Sequence, residues 1–72
     1  MTRDMEIPQY SKVQILVDRF DASDGVTAGT EGYVIEIHKG TDGPAYEVEV
    51  MNPDGTTRAL IVAKGAELEV VT

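Results

Sequence analysis

Apolar and polar residues alternate most strictly between Ala45 and Met51, where Glu47 and Glu49 separate Tyr46, Val48 and Val50. A period of two sends the two sets to opposite faces of a strand, so this stretch predicts a half-buried strand. Asn52-Pro53-Asp54-Gly55 follows at once. Proline presets φ at the second turn position and glycine closes the turn, which fits a type I turn with a glycine bulge. The next strand is predicted over Thr57–Val62. Upstream, Tyr33–His38 is rich in β-branched residues and predicts another strand. Gly29 and Gly32 lead into it, as glycine permits the positive φ of a tight turn. The polar segment Lys39–Pro44 leads out of it as a hairpin loop.

Lys12–Phe20 gives Val13, Ile15 and Val17 on one face, while Leu16 and Phe20 fall on the other parity. That mixture predicts a strand that bends between two layers. Asp18–Ala28 has no period and is predicted to fold over the sheet as a two-legged flap, with Val26 as its anchor. Lys64–Glu67 is too short for an α-helix and predicts one 3-10 turn before a last strand over Leu68–Val71. Residues 1–9 are expected to be a loose leader, pinned through Ile7 and Tyr10, and residues 10–72 a single domain. The fold class expected is all-β: a five-stranded small barrel with a long first loop.

The hairpin loops set a register. A three-residue loop Pro53-Asp54-Gly55 puts Val50 opposite Arg58, Val48 opposite Leu60 and Tyr46 opposite Val62. A loop over Lys39–Pro44 puts Ile37 opposite Tyr46 and Ile35 opposite Val48. The two registers agree on a core side holding Ile35, Ile37, Tyr46, Val48, Leu60 and Val62, with Tyr33 also inward. The other side collects Val34, Glu36, Glu47, Glu49, Ala59 and Ile61, with Glu36 directly opposite Glu47. Like charges so placed are destabilising, and Val34 and Ile61 add apolar surface to an acidic setting.

Composition narrows the function. A chain of 72 residues is one small domain, and a net charge of −7 is high for that length. Such a balance disfavours binding to phosphate backbones and to anionic membranes, and favours a basic protein partner. The absence of cysteine excludes disulfides, thiolate metal sites and cysteine nucleophiles. The longest apolar run, Ala59–Ala63, is too short to span a bilayer, and Met1–Glu6 lacks the pattern of a secretory signal, so a cytoplasmic protein is expected.

Candidate chemistry is thin. Asp18, Asp21 and Asp24 are three apart and fail the alternate spacing of a calcium loop. His38 is the single histidine, with no cysteine or second histidine to complete a zinc site and only Ser11 and Ser23 as hydroxyl nucleophiles without a link to it. Glu36, Glu47 and Glu49 could act as paired acids only in a partly dry cleft, which a face of so small a sheet does not offer. Gly29-x-x-Gly32 lacks the Gly-Lys-Ser/Thr of a phosphate loop. No catalytic, cofactor or metal residue is therefore assigned.

Lys12–Leu16, Gly29–Ile37, Ala45–Val50, Asp54–Thr57 and Ala59–Val62 together resemble the small bacterial family called domain of unknown function 4926. The punctuation of strands and turns is similar to that of SH3-like barrels in general, including docking and assembly subunits such as the small peripheral subunit of photosystem I and the nitrile hydratase β-subunit. The resemblance implies an SH3-like barrel and carries no functional residue. With the charge, the expectation is a non-catalytic module that binds a basic protein through Val34, Glu36, Glu47, Glu49 and Ile61, in the manner of an antitoxin or immunity partner. The alternative is an accessory or assembly subunit of a larger enzyme.

Overall fold

The computed structural model describes residues 6–21 and 25–72. Its elements run β1 (Lys12–Ile15), β2 (Glu31–His38), β3 (Ala45–Met51), β4 (Thr57–Lys64), a 3-10 turn (Gly65–Glu67) and β5 (Leu68–Val70). All pairings are antiparallel, in one sheet of order β4-β3-β2-β1-β5. β4 and β5 are therefore the two edges, and no ladder between them closes the sheet.

β1 is shorter than the alternation suggests. Ile15 donates to the Thr30 carbonyl at 2.8 Å and accepts from the Gly29 N–H at 2.7 Å, but the Leu16 N–H turns away to the Glu67 carbonyl at 2.9 Å. The chain thus leaves β2 for the 3-10 turn, and Leu16 ends exposed. Phe20, expected on a continuing strand, instead drops into the core from the loop, as Val26 does. Asp24 lies outside the described residues, as do residues 1–5 of the expected leader. Ile7 is buried, whereas the Tyr10 side chain is exposed and only its backbone N–H is held, 2.6 Å from the Val34 carbonyl.

The β3–β4 turn forms as its residues dictate: the Gly55 N–H reaches the Asn52 carbonyl at 2.9 Å, the Asn52 N–H reaches Thr56 at 2.8 Å, and Gly55 has φ +92. The register beyond it does not follow. Met51 pairs with Thr57 and Val50 with Ala59, leaving Arg58 as an extra, bulged residue. Without the bulge Arg58 would stand opposite Val50 on the core side, where its guanidinium would lose water without a partner. With it, Arg58 donates to the Gly25 carbonyl at 2.8 Å, and Ala59, Ile61 and Ala63 turn inward. Leu60 and Val62, expected in the core, are each 51% exposed.

A second bulge acts on β2. Ile37 opposite Tyr46 and Glu36 opposite Glu47 match the loop-derived register, but Val34, not Ile35, pairs with Val48. Ile35 is the extra residue, and parity reverses below it: Val34 goes in, and Tyr33 goes out to face Glu49. The carbonyls of Val34 and Ile35 are taken by the Tyr10 N–H and by Gln9 Nε2 at 2.8 Å. The inner side now holds Val13, Ile15, Val34, Tyr46, Val48 and Ile61 in one cluster. Ile37 is only partly buried against it.

Candidate acidic and apolar face

Each glutamate of the outer side is placed by its strand. Glu36 and Glu47 are direct cross-strand partners, and Glu49 lies two residues along β3 on the same face. Their partners differ. Glu47 Oε1 lies 3.1 Å from His38 Nε2, and Glu49 accepts a hydrogen bond from the Thr57 hydroxyl. Glu36 is exposed and has no hydrogen-bond or ion-pair partner among the described residues.

Val34 and Ile61 do not belong to this face. They are 0% and 3% exposed, respectively, because the bulges at Ile35 and Arg58 shift both strands by one residue. The same shift brings other apolar groups out. Leu60 stands opposite Glu49 and Val62 opposite Glu47, while Tyr33 flanks Glu49 from β2. Met51, also exposed, continues the row along β3. The sequence held a signal for this: the simple register put the charged Arg58 on the core side, and only a slip in β4 relieves that.

One margin of the face is fixed by ions. Arg19 Nη2 donates to the Val62 carbonyl at 3.1 Å and to Glu67 Oε1 at 2.8 Å. The same Glu67 oxygen accepts the Lys64 N–H at 2.9 Å. The hydrogen bond from Arg19 holds the Glu67 carboxyl below its usual range, and Glu67 in turn holds the Arg19 guanidinium above its own. Arg19 also lies 4.2 Å from the Phe20 ring centre, so the loop is tied to the edge of β4 at a defined point.

A family model described as "Domain of unknown function (DUF4926)" matches residues 9–70. The chain belongs to that family. The matched span of this DUF4926 chain takes in all five strands, both bulges and the three glutamates. No curated protein matches the chain, and no solved structure does.

Of the loop aspartates of the DUF4926 chain, Asp18 serves the backbone. Asp18 accepts the Ala28 N–H at 2.7 Å and its carbonyl accepts the Asp21 N–H at 3.0 Å, which makes Asp18 a turn staple. Among the described residues no three His, Asp or Glu side chains gather as metal ligands, and no helix is long and apolar enough to cross a membrane. An open groove of about 760 Å³ lies elsewhere, between the 39–44 loop, Tyr46 and the 3-10 turn, and none of the three glutamates lines it. Carboxylates on an open face beside half-exposed Leu60 and Val62 suit ion pairing and apolar contact.

Proposed function

We propose that this chain is a non-catalytic protein-binding module in the form of a small SH3-like barrel, acting in the cytoplasm on a basic protein. The barrel reading is supported by the strand order and by the two bulges, which bend and twist strands at the places where a small sheet must curl. The binding reading rests on one observation: Leu60 and Val62 are held outward directly across from Glu49 and Glu47. A soluble sheet has no structural need for exposed apolar residues on its edge strand, and a mixed acidic and apolar face suits a partner that brings Lys or Arg around an apolar centre. An antitoxin or immunity factor that covers a basic active surface fits this chemistry.

The test uses the protein that co-purifies with the tagged chain in its native host. Glu36→Lys, Glu47→Lys and Glu49→Lys combined are expected to weaken its binding by about tenfold or more. The wild-type complex should also weaken as salt rises, because exposed charges are screened beyond about 10 Å at 0.1 M salt. Binding unchanged by the triple reversal, in a chain that still folds, would remove the acidic face from function. A complex indifferent to salt would favour a permanent accessory subunit instead.

A further inference from the structure

The segment ahead of β1 is a strap that forms one wall of the groove, and its hinge is strained. Ile7 is buried and donates its backbone N–H to Tyr46 Oη at 3.0 Å. Glu6 Oε2 pairs with Lys39 Nζ at 2.8 Å. Between these contacts and β1 the chain reverses through Pro8, Gln9 and Tyr10, closed by the Ser11 N–H on the Pro8 carbonyl at 3.2 Å. Tyr10 takes φ +74 in that turn, the one non-glycine among the described residues to do so, and its side chain is 71% exposed. A bulky residue in the left-handed region is held there only by its surroundings. Pro8 meanwhile keeps Ile7 extended, so the strap is stiff on the groove side of the hinge.

We infer that two copies of this chain exchange Glu6–Pro8, each strap walling the other copy's groove. In the monomer Glu6 and Ile7 form one wall of the groove, and in the dimer the other copy's strap supplies that wall through the same contacts: Glu6 meets Lys39, and the Ile7 N–H meets Tyr46 Oη. The Glu6 and Ile7 contacts are remade in the dimer, while the hinge gives up the Tyr10 N–H bond to the Val34 carbonyl, the Gln9 bond to the Ile35 carbonyl and the Ser11–Pro8 closure. In the exchanged form residues 8–11 run straight from one copy to the next, and Tyr10 returns to extended backbone. Strain in a short hinge thus favours exchange. Beside the lost hinge bonds, two further terms oppose it. The strap on its own chain enjoys an effective concentration in the millimolar range, and two chains of charge −7 repel. The dimer is therefore weak and favoured by high protein concentration. It uses the groove and leaves the outer glutamate face free, so it stands independently of the proposed partner.

Paired charge reversal tests it. In Glu6→Lys alone the strap brings Lys to Lys39, and in Lys39→Glu alone it brings Glu6 to a second carboxylate. Both contacts are repulsive in monomer and homodimer alike. In an equimolar mixture, exchange places opposite charges in both grooves. Sedimentation at high protein concentration and matched low salt, where the exposed pair is least screened, is expected to show each variant as a monomer and the mixture with at least about fivefold more dimer than either alone. A mixture no more dimeric than its components would overturn the exchange. Tyr10→Gly, which relaxes the hinge in the monomer, is expected to lower the wild-type dimer fraction severalfold. A dimer that persists unchanged through Tyr10→Gly and both reversals lies on another surface and equally overturns it.

Discussion

At Gly32 the backbone of β2 runs so close to β3 that a Cβ would stand 2.7 Å from the Glu49 carbonyl oxygen and 2.8 Å from Val48 Cγ1. Its φ is not in the left-handed region, so contact alone excludes a side chain. The clash falls on backbone and on a fully buried valine, neither of which can move aside cheaply. Gly32→Ala is therefore expected to cost about 1–3 kcal/mol, read as a drop of roughly 4–8 °C in melting temperature per kcal/mol. A melt equal to wild type would show that β2 and β3 separate at this point. The glycine pair was legible as punctuation ahead of a strand expected from Tyr33, whereas β2 begins at Glu31 and takes Gly32 in; Gly29 does adopt φ +97 in its turn. That the second glycine answers to packing was not legible, because nothing local distinguishes a turn glycine from one pressed against a neighbouring strand.

Strands and turns could be read from the chain because their causes are local: alternation over Ala45–Met51, the Asn52–Gly55 turn, and the short Gly65–Glu67 turn all formed where their residues place them. The faces of β2 and β4 could not, because a bulge is decided across strands. Glu36 opposite Glu47 was readable from the loop length, since it lies on the loop side of the Ile35 bulge; everything beyond the bulge reversed. Hence the three glutamates of the candidate face were found and its apolar members were not: Val34 and Ile61 stood in for Leu60, Val62 and Tyr33. Paired truncations read this register directly. Ile61→Ala is expected to cost about 2–5 kcal/mol, as for a buried aliphatic residue. Leu60→Ala is expected to stay within about 0.5 kcal/mol of wild type, as for an exposed one. Chemical denaturation of both variants checks it, and a larger loss at Leu60 would restore the simple register.

Across the whole molecule, a charge of −7 concentrates its cost where carboxylates face each other, at Glu36 and Glu47. Glu47 has His38 Nε2 within hydrogen-bond distance, and Glu36 has no such partner among the described residues. Glu36→Gln is therefore expected to stabilise the fold by about 0.2–1 kcal/mol in low salt, the usual size of a cross-strand pair effect, with the gain shrinking as salt screens the repulsion. Thermal melts at two ionic strengths measure this. The same substitution is expected to weaken capture of the co-purifying protein, because a repulsion retained in the free chain is relieved when cationic groups arrive. The two readouts pull in opposite directions only if the face binds. A variant that melts higher and still captures its partner at full strength would leave Glu36 a solvated charge, and would shift the binding reading onto Leu60 and Val62 alone. One that does both as expected ties the instability of the isolated sheet to the work of that face.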